Sequence, residues 1–344
     1  MDKNEIILDI EKKLNKEFIG QKEFFKEISE YFINKIENEE KGISIVAGHK
    51  NTFKKVSIRT IFDELYEKKL IKNKNLDEID LASYNFNLGY NAFLTDLYEK
   101  LGNDKSEGLI FKNTEKASKE IIKLLSSIYP NTCIKLNNDY VIKNKFLVEA
   151  KEQDKNKINK IVCHNKFFIF IYNYEDKNEF EEFLEVSLKN SDRNFHTREL
   201  TQKEKNIIIR KKLTNEIEKI KDDLGIQVLL GFKDNSNEKE EFGVGEYLQK
   251  NFSKNSGFEI TEYIYYKVSD PLRNLILKEA IEDGEKILIY VDRNKLYCNV
   301  NSEIYRLNKY STPTLDEVRY KLESIIGVKD LKEFLINIEN NYKV

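Results

Sequence analysis

Gly48-His49-Lys50-Asn51-Thr52-Phe53-Lys54-Lys55 follows a short apolar run and precedes a helical pattern, an arrangement in which a chain can hold phosphate. The pattern that does so is G-x-x-x-x-G-K-[ST]. Its glycines let backbone N–H groups close on the anion, its lysine reaches the outer phosphate oxygens, and its hydroxyl ligates magnesium. Gly48 and Lys54 stand in frame. Phe53 takes the place of the second glycine, bringing a Cβ and a ring where backbone should approach the ligand. Lys55 replaces the metal-binding hydroxyl. A strand, turn and helix with no ligand is the competing reading of the same eight residues. Other chemistry is poorly served. His49, His164 and His196 are scattered, as are Cys133, Cys163 and Cys298, so neither a metal cage nor a disulfide framework is predicted. The pairs Lys12-Lys13, Lys54-Lys55 and Lys211-Lys212 read as solvated faces.

The elements that must hold this loop follow from apolar spacing. Ile6, Ile7, Ile10 and Leu14, then Phe24, Phe25, Ile28, Phe32 and Ile36, predict two amphipathic helices with a break at Phe18 to Gln21. Strands are predicted at 42–48, 76–81, 108–111 and 166–172, and a hairpin within 133–148. Helices are predicted after the loop, over 93–101 and over 117–129. Phe167, Phe168 and Phe170 belong to a continuous apolar run, which predicts a strand buried on both faces. Short apolar strands alternating with amphipathic helices predict an α/β fold, a mainly parallel sheet covered on both sides. After Thr201 the pattern turns helical, over 203–224, 243–251 and 259–279, before one hairpin at 286–300. The polar stretch 299–313 reads as a linker, and Thr314 to Glu317 as the cap of a further helix. The predicted domains are therefore 1–200, 201–300 and a C-terminal extension at 301–344.

Several segments add to the loop when taken in order. Ile19-Gly20-Gln21 precedes it, and Gly108-Leu109-Ile110-Phe111-Lys112-Asn113-Thr114-Glu115-Lys116-Ala117 follows it. Phe167 to Tyr172 closes on Asn173, Phe195 to Leu200 leads into a long helix, and Gly257-Phe258-Glu259 opens a later one. In this order they resemble the Clp-type AAA+ ATPase/unfoldase module, a P-loop NTPase, over roughly residues 5 to 300. The resemblance implies an αβα P-loop domain followed by a mainly helical lid. It also implies that Ile19, Gly20 and Gln21 lie by the adenine, that Gly48 and Lys54 face the phosphates, and that Asn173 serves as sensor 1. Asn173 reads equally as a polar strand-end residue. Gly89-Tyr90 resembles the substrate-gripping pore loop, against the alternative of a plain turn. The departures concern chemistry. Lys112 and Asn113 replace the Walker B acidic pair, which should hold the metal and polarise water. Glu259 replaces the sensor 2 arginine, and around Lys189 to Arg193 the expected arginine finger is displaced or missing. Loss of even one such preorganised group lowers rates by about 10²–10³. Leu322 to Lys332 resembles the opening helix of a second AAA+ module.

Composition narrows the function classes. Among 344 residues, 58 basic and 60 acidic side chains leave a formal charge of -2, which counts against a dedicated nucleic-acid binder. No apolar run approaches a membrane span and the first residues lack a signal-peptide core, so a cytoplasmic protein is expected. The expected function is that of a catalytically impaired Clp-like AAA+ module, with no catalytic residues and no metal. It would form a structural or regulatory layer of a homo-oligomer, or partner an active AAA+ protein-remodelling ATPase acting on protein clients. No cofactor is required, and ATP or ADP would bind weakly at most. Two alternatives stay open. One is a weak ATPase using Lys54, Asn173 and a carboxylate such as Glu115 or Asp80; the other is a nucleic-acid or defence-system adaptor on the same fold.

Overall fold

The computed structural model describes residues 3–50, 52–84, 89–174, 191–231, 243–252 and 257–312. The chain forms two compact units, Met1–Glu204 with Asn255–Phe258, and Lys205–Lys254 with Glu259–Val344.

In the first unit the described elements run α1 (Lys3–Glu17), α2 (Lys22–Glu37), β1 (Ile43–Gly48), α3 (Lys54–Glu67), β2 (Leu76–Asp80), α4 (Gly89–Leu101), β3 (Gly108–Lys112) and α5 (Lys119–Leu125). Then follow β4 (Cys133–Lys143), β5 (Phe146–Glu149), β6 (Ile158–Val162), β7 (Phe167–Asn173) and β8 (Arg193–His196). Five strands make a wholly parallel sheet in the order β2-β3-β7-β1-β8. The mixed α/β fold with a covered parallel sheet is thus present.

Alternation explains how the sheet is covered. Ile45, Leu109, Phe111, Phe168 and Phe170 point into one core with α4 and α5, while Val46, Ile110, Phe167, Ile169 and Phe195 point into another with α1, α2 and α3. Phe32, Phe62 and Phe167 meet edge to face in the second core, at centroid distances of 5.0–5.6 Å. Every residue of β1 is buried, as is every residue of β7 except Asn173. This is the burial that central strands of a doubly covered sheet require.

Two features were not predicted. β6 joins the 133–149 hairpin into a three-stranded antiparallel sheet, β5-β4-β6, docked on α4 where Thr95 Oγ1 accepts from Leu147 N at 2.9 Å. The 117–129 helix is shorter than expected, with a 3₁₀ turn at Thr114–Lys116 before α5.

The second unit begins along α6 (Gln202–Leu224) and holds β9 (Gln227–Leu230), α7 (Val244–Asn251), α8 (Gly257–Ile264) from Glu259 onward, α9 (Asp270–Lys278), β10 (Lys286–Asp292), β11 (Lys295–Val300) and β12 (Glu303–Arg306). It carries more sheet than the sequence suggests: four strands in the order β12-β11-β10-β9. β12 lies within the stretch read as linker. The helix predicted over 259–279 is broken by a π-helical segment, Tyr265–Ser269. Among the described residues, no helix is long and apolar enough to cross a membrane.

Candidate functional site

Parallel register brings the carboxyl ends of the strands to one edge of the sheet. Gly48 lies opposite Asn173, and Asp80 opposite Lys112. Open parallel sheets bind ligands outside this edge, and the loop between β1 and α3 lies there. Its second glycine position is instructive. Phe53 has φ +66°, a left-handed conformation that glycine takes freely and other residues adopt at about 1–2 kcal/mol. The Phe53 ring packs on Phe18 at 5.3 Å.

Lys54 does not lie on a solvated face. It is 4% exposed, and its Nζ donates to Gly48 O at 2.9 Å, to His49 O and to Thr52 Oγ1 at 3.2 Å. Thr52 Oγ1 donates to His49 O at 2.7 Å and meets Thr197 Oγ1 at 2.5 Å. The loop is therefore closed on its own lysine. Burial pulls the Lys54 pKa down to about 7, with the nearby Glu115 carboxylate pulling the other way. Gly48 is fixed by a different neighbour: a Cβ there would fall 1.9 Å from Thr197 Oγ1, at a φ of +152°. Close approach of β1 to the segment after β8 accounts for this glycine without a ligand.

A second polar group lies at the ends of β2, β3 and β7. Asn113 Nδ2 donates to Asp80 Oδ1 at 2.7 Å. Asn173 donates twice to Glu115, from its backbone N at 3.0 Å and from Nδ2 at 3.2 Å, and reaches Asn113 Oδ1 at 3.3 Å. Glu115 is thereby committed to Asn173.

Lys55 and Lys112 converge on one acid. Glu78 on β2 takes Lys112 Nζ at 3.1 Å and Lys55 Nζ at 3.5 Å, and Arg59 binds the same carboxylate. Asp80 lies 3.8 Å from Lys112. Burial would raise the Glu78 pKa, but Arg59, Lys112 and Lys55 outweigh it and hold the carboxyl below its ordinary value. Three cations, Lys55, Arg59 and Lys112, thus face two carboxylates, Glu78 and Asp80. Among the described residues, no three His, Cys, Asp or Glu side chains gather to hold a metal ion.

The Ile19-Gly20-Gln21 segment joins α1 to α2. Ile19 is half-buried there. Gln21 is 2% exposed, and its amide clasps the Arg198 backbone from both sides: Nε2 donates to Arg198 O at 2.6 Å and Oε1 accepts from Arg198 N at 3.1 Å. Gly20, with φ +96°, has no room for a Cβ beside Leu200 and Glu204. Beyond the clasp, Thr201 and Glu204 form a capping box for α6, with Thr201 N donating to Glu204 Oε2 at 2.8 Å and Glu204 N to Thr201 Oγ1 at 3.3 Å.

The remaining residues lie apart from this edge. Gly89 and Tyr90 open α4, and the Tyr90 ring stands 6.3 Å from Phe93 against the core. Arg193 begins β8 opposite Ser44, at the other end of the sheet, over the Phe195 ring and near Glu27. Asp192 accepts from Tyr31 and from Ile43 N. Lys189, Asn190 and the stretch 314–332 lie outside the described residues. Glu259 belongs to the second unit, where it lines a groove beside Phe252 and Tyr263.

Sequence reasoning missed Glu78, Thr52, Thr197 and the Arg198 clasp. Only Thr201-x-x-Glu204 carried a local signature. No family model matches the chain, and no curated protein matches it either.

Proposed function

We propose that the first unit is a nucleotide-type scaffold whose phosphate loop is closed by its own lysine, a catalytically impaired Clp-like AAA+ module acting as a structural or regulatory layer. One observation carries the reading: Lys54, the cation that should meet phosphate, is buried against Gly48 O, His49 O and Thr52 Oγ1. The Glu78 node supports it, because Lys55 and Lys112 are both paired where a metal would need anionic or hydroxyl ligands. In this reading the second unit is the counterpart of the lid. Its partner is another copy of the chain or an active remodelling ATPase.

A slow, metal-independent ATPase is the second reading, favoured by the Glu115–Asn173 hydrogen bonds close to Lys54. Steady-state ATP turnover of the purified chain separates the two. The scaffold reading expects no hydrolysis above background and no change in Lys54→Ala. Turnover that disappears in both Lys54→Ala and Glu115→Gln would replace it with the enzyme reading.

A further inference from the structure

The antiparallel sheet β5-β4-β6 treats its two edges differently. At β5 the outward N–H of Leu147 is taken by Thr95 Oγ1 of α4 at 2.9 Å. On the far side of β6, among the described residues, no strand pairs and no hydrogen bond arrives. The register fixes what that side offers. Cys163 N donates to Thr132 O at 2.7 Å, so Cys133–Val162 and Lys135–Lys160 are the pairs of this ladder that exchange no hydrogen bonds. The backbone N–H and C=O groups of Lys160 and Val162 therefore point away from β4, toward the open edge.

Side chains narrow what the edge can accept. Residues two apart on a strand share a face, and Lys160 and Val162 both lie on the solvent side, with Val162 50% exposed. Lys135, also exposed, stands directly opposite Lys160, in the closer kind of cross-strand pair, where like charges repel. Lys143 and Lys157 are paired with Asp154 and Asp139, whereas Lys135 and Lys160 have no such partner among the described residues. Residues 133–162 hold seven lysines and four carboxylates, a local positive surplus in a chain whose formal charge is -2. Lysine on an edge deters a strand of like charge. β6 itself, Ile-Asn-Lys-Ile-Val, carries no carboxylate, so a second copy of it would add a cation and no counter-charge. A carboxylate set beside Lys160 and Lys135 would instead offset their repulsion.

We propose that β6 receives an extended acidic segment of a partner protein as a further strand. Its main chain bonds to the outward groups of Lys160 and Val162, a carboxylate meets Lys160 and Lys135, and an apolar side chain covers Val162. The proposal stands whether or not the first unit binds nucleotide.

The test titrates the full chain, with amide nitrogens labelled, against a short blocked peptide of alternating Glu and Val and against its Gln/Val and Lys/Val counterparts. The Glu peptide is expected to bind about tenfold or more tighter than the Gln peptide, and to slow hydrogen exchange at the Lys160 and Val162 amides by a similar factor. Lys135→Glu/Lys160→Glu should transfer the preference to the Lys peptide while amide signals outside this sheet stay in place, which shows that the fold is intact. Absence of binding, equal binding of the three peptides, or a preference unchanged in the double variant would overturn the charge pairing. Binding that leaves the Lys160 and Val162 amides unprotected would overturn strand addition. Protection of the same amides by self-association without peptide would overturn the partner source in favour of a second copy. Displacement of the Glu peptide by a single-stranded oligonucleotide of equal charge would overturn its polypeptide nature.

Discussion

Lys54 carries a stability signature that a solvent-facing phosphate lysine lacks. Its pKa falls from 10.5 to about 7 in the folded chain because burial penalises the ammonium. Between those pH values the unfolded lysine holds a proton that the folded one releases, so stability rises with pH across that window. Denaturant unfolding of wild type and Lys54→Met from pH 6.5 to 10 should show a difference that moves in favour of wild type as pH rises. A pH-independent difference would mean that the ammonium is not desolvated. At Gln21 the account is about satisfied hydrogen bonds. Gln21→Ala would strand both Arg198 backbone groups, and a loss of about 1–3 kcal/mol is expected in the same assay. An unchanged unfolding midpoint would show that water replaces the clasp without penalty.

At the scale of elements, the capping box and the Glu78 node are short-range devices with different visibility. Thr201-x-x-Glu204 could be read directly, and Glu204 is held down to about pKa 2, first by Arg198 and then by Thr201 against the opposing pull of burial. Its stabilisation is present above the ordinary value of 4.5 and is lost as pH falls toward 2. Glu204→Ala should lower stability at neutral pH by about 1 kcal/mol and flatten the acid limb of the stability profile. An acid limb identical to wild type would remove Glu204 from the account. Glu78 was not readable, because its partners reach it through α3 and through the pairing of β2 with β3, at separations no local pattern spans. Glu78→Gln should destabilise by only about 1 kcal/mol, since Lys55, Lys112 and Arg59 are each more than a quarter exposed. The central strands β1 and β7 were legible as unbroken apolar runs. β6, β8, β9 and β12 were not: each has four or five residues and at most one buried position, so neither alternation nor a run marks them.

For the whole molecule, strand order gathers the loop, Asn113, Glu115 and Asn173 at one edge of the parallel sheet. What the edge then does depends on charge. Its cations are satisfied internally, by loop oxygens at Lys54 and by Glu78 at Lys55 and Lys112. Nucleotide would have to displace these contacts, and magnesium would meet a group of cations. Isothermal titration calorimetry of the full chain with ATP, run once with magnesium and once with chelator, tests this most directly. The account predicts weak binding with the same affinity in both runs. Tight binding that requires magnesium would contradict it.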